Sequence, residues 1–351
     1  MSASPILLRF TTGGQLNSWR GISTSVKNNA RFRISPPPSF REIGRIMPTQ
    51  KGANSEYQPG QFFIHRTFAY RGVIICGFNT RYHEKDTNKN GSVTQDSPTS
   101  KTKQYYQVLI HRPDWPFLGF PVDMTSYLVD NGPPTPTGRT EKILTVINGM
   151  DCVSQDDVLP YAPLEETALE HDLFDRIFEL KLKNGLVVAG IKPELVDNYR
   201  HSNRTWLAPR DVFTQVTDNI EVTVTTFYLG ENLVNGQTKH VWRYVVRIVN
   251  LYPAERVTLR ERTLKIYSLN NMNQVHGNSV YGKQPELNAE NPAFQFSSII
   301  DLAHSKGGHM WGKFKLERED GVVFDATIPT IQLESFDDAR QAKNVIENNG
   351  S

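Results

Sequence analysis

The sequence predicts a mainly β protein in which two β domains are joined by a helical segment. Short apolar runs of strand length recur from residue 57 onward, and Gly, Pro, Asn or Asp residues bound most of them. Apolar and polar residues alternate over most of residues 220–333. One stretch between these regions, residues 169–180, has helical spacing instead. A chain of 351 residues is long enough for two domains.

Residues 1–50 differ in composition from the rest of the chain. They hold seven Lys or Arg residues and a single acidic residue, Glu42, which gives a net charge of +6, whereas residues 51–351 carry a net charge of −4. Seven serines accompany the arginines. This composition predicts a mitochondrial transit peptide and disordered N-terminus over residues 1–50, cleaved between Arg20 and Arg45, and therefore a location in the mitochondrial matrix. The alternative is a basic disordered tail that binds nucleic acid.

The first domain is predicted over residues 51–165 as a small β-barrel with long loops. Strand-like runs occupy residues 61–65, 73–78, 105–110, 146–153 and 158–161. Residues 84–103 contain one apolar residue, Val93, so this segment is expected to be a solvated loop. A second irregular stretch is expected over residues 113–138, where aromatic residues are followed by prolines.

A helical connector is predicted over residues 166–205. Leu169, Leu173, Ile177 and Leu180 are spaced by four, four and three residues, which places them on one helical face, and residues 184–185 (Asn-Gly) supply a stop. Such a stripe favours a helix that faces the core over a helix that binds a partner. A second short helix is expected to begin at Pro193.

The second domain is predicted over residues 206–336 as a β-sandwich of about seven strands, with a polar tail at 337–351. Two strands are expected around residues 220–225 and 242–248, with Arg243 and Arg247 on the polar face. In the next strand the apolar alternation changes phase. Its apolar residues fall at odd positions before residue 260 and at even positions after residue 262. A bulge near residues 260–262 would restore the register. The remaining strands are expected at residues 294–302, 310–317, 322–328 and, as a short edge, 331–333.

Motifs for catalysis or ligand binding are weak in this sequence. Residues 277–284 match the pattern GxxxxGK, but Gln284 replaces the hydroxyl residue that a phosphate-binding loop needs, and Pro285 opposes a following helix, so a turn is favoured. His304 and His309 lack a third metal ligand nearby. Two cysteines, Cys76 and Cys152, exclude a disulfide framework. We therefore expect no catalytic, cofactor or metal site, and no apolar run is long enough to span a membrane.

Partner binding is therefore the expected activity. Each predicted domain has a net charge of −1, which does not favour a phosphate-binding face. Arg243, Arg247, Arg260 and Arg262 could still form a basic patch on one sheet face, or a solvated face paired with acids such as Glu255 and Glu261. The aromatic residues Trp115, Phe117 and Trp311 are candidate partner-binding anchors. Burial in the core is the alternative for each of them.

Sequence motifs indicate a family for each half. The first half resembles the YccV-like domain, a small SH3-like barrel described as hemimethylated-DNA-binding. The matching residues are 57–62 (YQPGQF), His65, 69–74 (AYRGVI), 105–109 (YYQVL) and 156–161 (DDVLPY). The second half resembles the ApaG domain, a fibronectin-like sandwich. The matching residues are 260–262, Ile266, the turn 277–282 with Pro285, 294–298 (FQFSS) and 308–314 (GHMWGKF). In the glycine turn, usually GxGVVG in that family, Ser279 and Tyr281 replace a glycine and a valine.

The two domains in this order, behind a transit-like segment, resemble the polymerase-delta-interacting protein 2 family. The resemblance implies a non-enzymatic, monomeric adaptor of the mitochondrial matrix. It leaves open an additional pool of the protein in the nucleus. Its implied partners are the matrix Clp protease and its chaperone, DNA polymerase delta, the sliding clamp and a primase-polymerase. The alternative is a DNA-binding accessory factor of mitochondrial or nuclear DNA replication.

Overall fold

The computed structural model describes residues 42–49, 56–85, 101–132, 141–164, 169–183, 186–195, 205–269, 271–280, 282–304 and 308–335. Their secondary structure is almost entirely β, as the sequence predicts. In the first half the strands are β1 Gly44–Ile46, β2 Phe62–His65, β3 Arg71–Lys85, β4 Lys101–Ile110, β5 Thr125–Asp130, β6 Lys142–Ile147, β7 Met150–Ser154, β8 Val158–Pro163, β9 Phe178–Lys183 and β10 Leu186–Ile191. In the second half they are β11 Asp211–Thr217, β12 Ile220–Val234, β13 Gln237–Asn250, β14 Val257–Ser268, β15 Asn271–Gly277, β16 Glu286–Leu287, β17 Ala293–Leu302, β18 Gly308–Arg318 and β19 Val323–Leu333.

Helical structure is confined to short segments. Two 3₁₀ helices span Arg112–Phe117 and Gln155–Asp157, the α-helix α1 spans Phe174–Ile177, and residues 193–195 are also helical. The segment predicted as irregular at 113–138 therefore contains a 3₁₀ helix and strand β5. The loop predicted at 84–103 is shorter than expected, because β3 continues to Lys85 and β4 begins at Lys101; residues 86–100 lie outside the described part of the chain.

The first domain contains the predicted small barrel as an open arrangement. Five strands pair in the order β8-β2-β3-β4-β7, and all of these pairs are antiparallel. The barrel is not closed, because in the described residues no pairing joins β7 to β8. The 3₁₀ helix Gln155–Asp157 carries the chain from β7 at one edge to β8 at the other.

The N-terminal boundary predicted at residue 50 is wrong. Strand β1 pairs with β8, so that Gly44 lies opposite Pro163 and Ile46 opposite Tyr161. Gly44 is required at this position, because a Cβ atom there would come within 2.5 Å of the Ala162 carbonyl oxygen. Residues 42–49 thus belong to the folded unit, whereas residues 1–41 lie outside the described part.

The helical connector forms only in part. Phe174–Ile177 is α-helical, the chain then forms the hairpin β9–β10, and residues 193–195 are helical, as expected for the short helix at Pro193. Phe174 and Phe178, which the helical stripe did not include, are buried together with Leu169 from that stripe, and Leu173 and Ile177 pack against the same cluster. From Phe178 onward, Phe178, Leu180 and Leu182 alternate with polar residues, and this period of two outweighs the helical spacing. Leu180, expected on the buried face, is exposed.

The second domain is a two-layer sandwich, as predicted. One layer contains β11-β12-β13-β17, and the other contains β15-β14-β18-β19 with β16 beside β14. Val224, Val246 and Phe296 from the first layer share one apolar core with Leu264 and Phe314 from the second. The predicted bulge is confirmed, because the register of β14 against β18 shifts between Leu259 and Glu261.

Two details of the sandwich differ from the prediction. The segments predicted as separate strands at 322–328 and 331–333 form one strand, β19. Its register against β18 shifts between Ile328 and Ile331, so both apolar segments bury side chains in the core. Strand β11 was not predicted, although it joins the two halves of the molecule.

The two domains share one ten-stranded sheet. Its order is β1-β8-β2-β3-β11-β12-β13-β17, with β4 and β7 branching from β3. The end of β3 pairs in parallel with β11, from Arg81 opposite Asp211 to Lys85 opposite Gln215. Asp211 also binds the side chains of Arg81 and His83, each at 2.8 Å. The first domain and the sandwich are therefore parts of one folded body.

Candidate partner-binding surface

The first domain covers the outer face of β13 and β17. Arg243 and Arg247 alternate along β13 with Trp242, Tyr244 and Val246, whose side chains enter the sandwich core. The arginines therefore point away from that core, as the sequence predicts. They are not solvated, because residues of the first domain pack over them.

Arg247 forms a bidentate ion pair with Asp157 of the first domain. The distances are 2.6 Å from Nη1 to Oδ2 and 3.3 Å from Nη2 to Oδ1. The guanidinium also lies 5.0 Å from the centroid of the Phe68 ring. Burial alone would raise the pKa of the Asp157 carboxyl, but the Arg247 charge and the hydrogen bonds from Arg247 and Thr67 together hold that pKa below its ordinary value. Asp157 is therefore ionised when the two domains are in contact.

A neutral histidine lies next to this pair. His65 is almost fully buried, and its Nδ1 accepts hydrogen bonds from the backbone amides of Thr67 and Phe68 at 3.1 and 3.2 Å. Burial, together with the nearby Arg247 charge, lowers the pKa of His65 to about 3. The imidazole is thus an acceptor in the fold of the first domain.

Asp151 is a second buried carboxyl at the domain junction. It accepts hydrogen bonds from the Tyr70 hydroxyl at 3.0 Å, from the Gln295 amide nitrogen at 2.9 Å and from the backbone N–H of Cys152 at 2.8 Å. Burial raises the pKa of this carboxyl. Since Gln295 belongs to β17, this hydrogen bond links the two domains directly.

Arg243 completes the buried polar junction. Its Nη1 donates to the Met124 carbonyl at 3.1 Å, and its guanidinium lies 4.0 Å from the centroid of the Phe227 ring. Burial lowers its pKa to about 10, so the side chain is still charged at neutral pH. We call the set His65, Tyr70, Asp151, Asp157, Arg243, Arg247 and Gln295 the junction network.

The basic patch suggested by the sequence is not formed. Arg243 and Arg247 are in the junction network, and Arg260 binds Glu317 at 2.6 Å and the side-chain oxygen of Gln284 at 2.6 Å. Arg262 lies over the Phe296 ring, 5.7 Å from its centroid. The acids named with this patch bind other cations, because Glu255 pairs with Arg318 and Glu261 with Lys315.

The three predicted anchor residues occupy different environments. Trp115 and Phe117 both belong to the 3₁₀ helix Arg112–Phe117. Trp115 is half-buried and its indole N–H donates to the Ile110 carbonyl at 3.2 Å, so it supports the first domain. Phe117 is 61% exposed. Trp311 is half-buried on β18 of the second sheet, opposite Lys265 of β14.

Phe117 stands at a groove between the two domains. The groove has a volume of about 200 Å³. Phe68 and Leu118 line it from the first domain, and Pro292 and Ala293 line it from the loop before β17 and the start of that strand. Ala69 in this groove has a positive φ of 55°, an uncommon conformation for a residue with a side chain. We call this feature the Phe117 groove.

Hydrophobic surface is also exposed on the hairpin β5–β6, which sequence reasoning missed. Val129, Ile143, Leu144 and Val146 are exposed there. Paired residues of an antiparallel ladder share a face, so the pair Val129–Ile143 and the pair Leu128–Leu144 lie on opposite faces of the hairpin. The strand-forming run of residues 142–147 (KILTVI) is a sequence signal for one strand of this hairpin.

The other candidate motifs hold no catalytic arrangement. In the glycine turn, Val280 and Lys283 exchange backbone hydrogen bonds at 2.9 and 3.0 Å, and strand β16 follows instead of a helix. The predicted turn is thus confirmed, apart from Tyr281, which lies outside the described residues. No group of three metal-ligating side chains occurs in the described segments, and residues 305–307 between His304 and His309 are not among them. No described helix is long and apolar enough to cross a membrane.

Comparison with known proteins agrees with the order of the two domains. Residues 55–120 match the family model described as hemimethylated DNA-binding protein YccV like, and residues 230–318 match the ApaG domain. Polymerase delta-interacting protein 2 of Homo sapiens is 35% identical over 331 residues, which are 91% of this chain and 86% of that protein. The Mus musculus protein of the same name is 35% identical over 90% of this chain and 84% of its own length. The ApaG protein of Paramagnetospirillum magneticum is 36% identical over 124 residues, or 35% of this chain and 94% of that protein.

Proposed function

The chain belongs to the family of polymerase delta-interacting protein 2, and we propose that it is a non-enzymatic adaptor that binds other proteins through its YccV-like and ApaG domains. The junction network is the observation that supports this proposal best. Charged and polar side chains that could serve a reaction are buried between the domains, where they hold the two domains together. An adaptor of this kind offers partners one composite surface.

The partners and location form the finer part of the proposal. The relatives are named for an interaction with polymerase delta, which makes a DNA polymerase subunit one candidate partner. Family resemblance adds the matrix Clp protease and chaperone, the sliding clamp and a primase-polymerase. The basic, serine-rich composition of residues 1–41 supports import into the mitochondrial matrix.

Binding of DNA is the second candidate function. It is favoured by the match of residues 55–120 to a family described as hemimethylated DNA-binding. Against it stands the placement of Arg243 and Arg247 in the junction network, where neither guanidinium can reach a phosphate. A DNA-binding form of this protein needs a different cationic surface.

The Phe117 groove is our candidate for the contact with a protein partner. Phe117 is an exposed aromatic residue beside a concave surface to which both domains contribute. Aromatic residues beside such pockets often dominate binding energy. The change Phe117→Ser removes the aromatic ring and little buried surface, so it tests binding rather than stability.

The test measures binding of the full chain to the purified matrix Clp chaperone and to the purified polymerase delta subunits, in nuclease-treated buffer. We expect one of these proteins to bind, and Phe117→Ser to weaken that binding about tenfold, or about 1.4 kcal/mol. Leu182→Ser, at an apolar residue that is 73% exposed on β9, is the matched control and should bind as the unchanged chain does.

One outcome would contradict the adaptor function, and a second would contradict the placement of its binding surface. The first is that none of these proteins binds while a hemimethylated duplex binds with a steep salt dependence, which would favour the DNA-binding function. The second is that Phe117→Ser and Leu182→Ser have the same effect, which would remove the Phe117 groove from the binding surface and leave the adaptor function standing on the partner binding alone.

A further inference from the structure

Strand β15 is an open edge of the second sheet. In the described residues β15 pairs with β14 and with no other strand. Its first six residues are exposed and the seventh is half-buried. Natural edge strands are commonly blocked by a lysine, a proline or a bulge, and β15 has none of these. Its geometry is therefore open to the addition of another strand.

The register of the β14–β15 hairpin determines which backbone groups face outward. Ser268 and Asn271 pair across a two-residue turn, and Leu269 has the positive φ of 47° that such turns favour. The closing pair of this turn exchanges hydrogen bonds, and hydrogen-bonded and non-hydrogen-bonded pairs then alternate along the ladder. Met272, Gln274 and His276 consequently direct their N–H and C=O groups toward the open edge.

The outer face beside this edge is aromatic and apolar at one end. Met272 and Tyr267 lie opposite each other on this face, and they are 62% and 41% exposed. The next row contains Gln274, Lys265 and the half-buried Trp311. An added strand would place alternate side chains beside these rows.

The charge at this edge is positive. Residues 262–285 contain Arg262, Lys265 and Lys283, with His276, and no Asp or Glu, and the flanking acids Glu261 and Glu286 are paired with Lys315 and Arg256. Elsewhere on the same sheet the cations are balanced by acids, as in the pairs Lys313–Asp325 and Lys315–Glu261. A strand that carries carboxylates would therefore complement the β15 edge.

We propose that the β15 edge binds an extended acidic segment of a partner protein as an added β-strand. Backbone hydrogen bonds to Met272, Gln274 and His276 supply the affinity. Acidic side chains at alternate positions of the segment lie on the outer face toward His276 and Lys265, and the apolar side chains between them lie on the opposite face. This inference rests on the proposed adaptor function and names the class of segment that the adaptor recognises.

The test uses a fluorescein-labelled, acetylated octapeptide of alternating Glu and Val residues, with the octapeptide of alternating Lys and Val as its matched control. Anisotropy is measured against the full chain. We expect the Glu–Val peptide to bind at least tenfold more tightly than the Lys–Val peptide. Added salt should reduce this difference, because the charges lie at an exposed edge.

Two variants at one position isolate the backbone contact. Gln274→Pro removes an N–H that faces the open edge and leaves the pairing with β14 intact, which is the setting in which edge strands accept proline. Gln274→Ala keeps that N–H. We expect at least a tenfold loss of Glu–Val peptide binding for Gln274→Pro and less than a twofold change for Gln274→Ala, with equal melting temperatures confirming that both variants fold.

A charge reversal tests the electrostatic part. Lys265→Glu should reduce binding of the Glu–Val peptide at least fivefold, whereas Lys181→Glu, the same change on β9, should leave it unchanged. Equal affinity for the two peptides, or full binding by Gln274→Pro, would overturn the proposal. Two further results would also overturn it. One is a dimer that dissociates in Gln274→Pro, because a second copy of the chain would then be the occupant of the edge. The other is binding of a single-stranded oligonucleotide in place of the peptide.

The outcomes remain separable from those for the proposed function. If the peptide fails to bind while the Clp chaperone or polymerase delta still binds, the β15 edge is excluded and the adaptor function stands. If the peptide binds and none of these proteins does, the edge recognises acidic strands but the proposed partners are wrong.

Discussion

The Arg247–Asp157 ion pair joins the two domains at a point that water hardly reaches. Both side chains are mostly buried, and the Arg247 guanidinium donates one hydrogen bond to each oxygen of the Asp157 carboxylate. A buried pair of this kind adds little net stability compared with a well-packed apolar pair, but the loss of one partner leaves an uncompensated charge. The pair therefore fixes how the domains meet.

Replacing Arg247 alone should be severe for this reason. We expect Arg247→Met to lower the free energy of unfolding by about 3–5 kcal/mol, because Asp157 stays buried without its cation. Chemical denaturation measures the change. The matched control is Arg256→Met, since Arg256 is about half exposed and binds Glu286 and Glu319 at the surface, where a pair contributes at most about 1 kcal/mol. Similar losses for both variants would contradict a structural role for the junction network.

His65 gives the molecule a predictable dependence on pH. Its pKa is about 3 in the folded protein and about 6.5 in the unfolded chain, so between these values the unfolded state binds more protons. The stability that neutral His65 contributes is fully present above pH 6.5 and is lost as the pH falls toward 3. One such proton changes the free energy of unfolding by up to about 1.4 kcal/mol per pH unit.

The variant His65→Asn tests this assignment. The Asn side-chain oxygen can accept the amide hydrogen bonds that Nδ1 accepts from Thr67 and Phe68, but it does not titrate. We therefore expect the unfolding free energy of the variant to fall less steeply between pH 6.5 and 4 than that of the unchanged chain. Parallel curves would show that His65 is not the group responsible.

Strand β1 shows that the basic N-terminal composition extends into folded structure. The composition of residues 1–50 is uniform, and nothing in it marks Gly44–Ile46 as a strand. The strand forms because the edge of β8 is available to it, which is a tertiary property. A processing site anywhere after residue 43 would remove part of β1 and expose β8.

The position of β1 predicts where the mature N-terminus lies, and mass spectrometry measures it. If the chain is imported and processed, its mature form should begin at or before residue 42. Deletion of residues 1–41 should leave the melting temperature unchanged, whereas deletion of residues 1–49 should lower it, since β1 and its pairing with Tyr161 and Pro163 are lost. A mature form beginning near residue 50 with unchanged stability would show that β1 is dispensable.

Alternation and turn signals were enough to predict most strands and the sandwich, but not the connector or the pairing partners. Residues 169–180 carry both a helical stripe and, from Phe178, a period of two, and short segments with mixed periods are decided by packing. Local spacing showed that Arg247 points away from the apolar core but could not show what covers it. In the same way, it identified Trp115 and Phe117 without showing that the short 3₁₀ helix turns one inward and the other outward.

Strand β3 makes the two domains one cooperative unit. Its 15 residues pair with β2 and β4 in the first domain, and its last residues pair with β11 of the second. The junction network lies on the face of β13 and β17 that the first domain covers. One apolar core cluster contains residues of both domains, such as Phe63 and Val108 from the first and Val246 from the second. Unfolding either domain would therefore expose apolar surface and buried charge of the other.

A cut between the domains should consequently leave them together. We expect a full chain with a site-specific protease sequence introduced within residues 196–204 to yield two fragments that co-elute in gel filtration after cleavage and unfold in one transition. The same cut in Arg247→Met should give fragments that separate at least tenfold more readily, because the junction then contains an unpaired carboxylate. Arg256→Met is again the control. Two separate transitions in the uncut, unchanged chain would show that the domains are independent, and partners would then meet two linked modules rather than a composite surface.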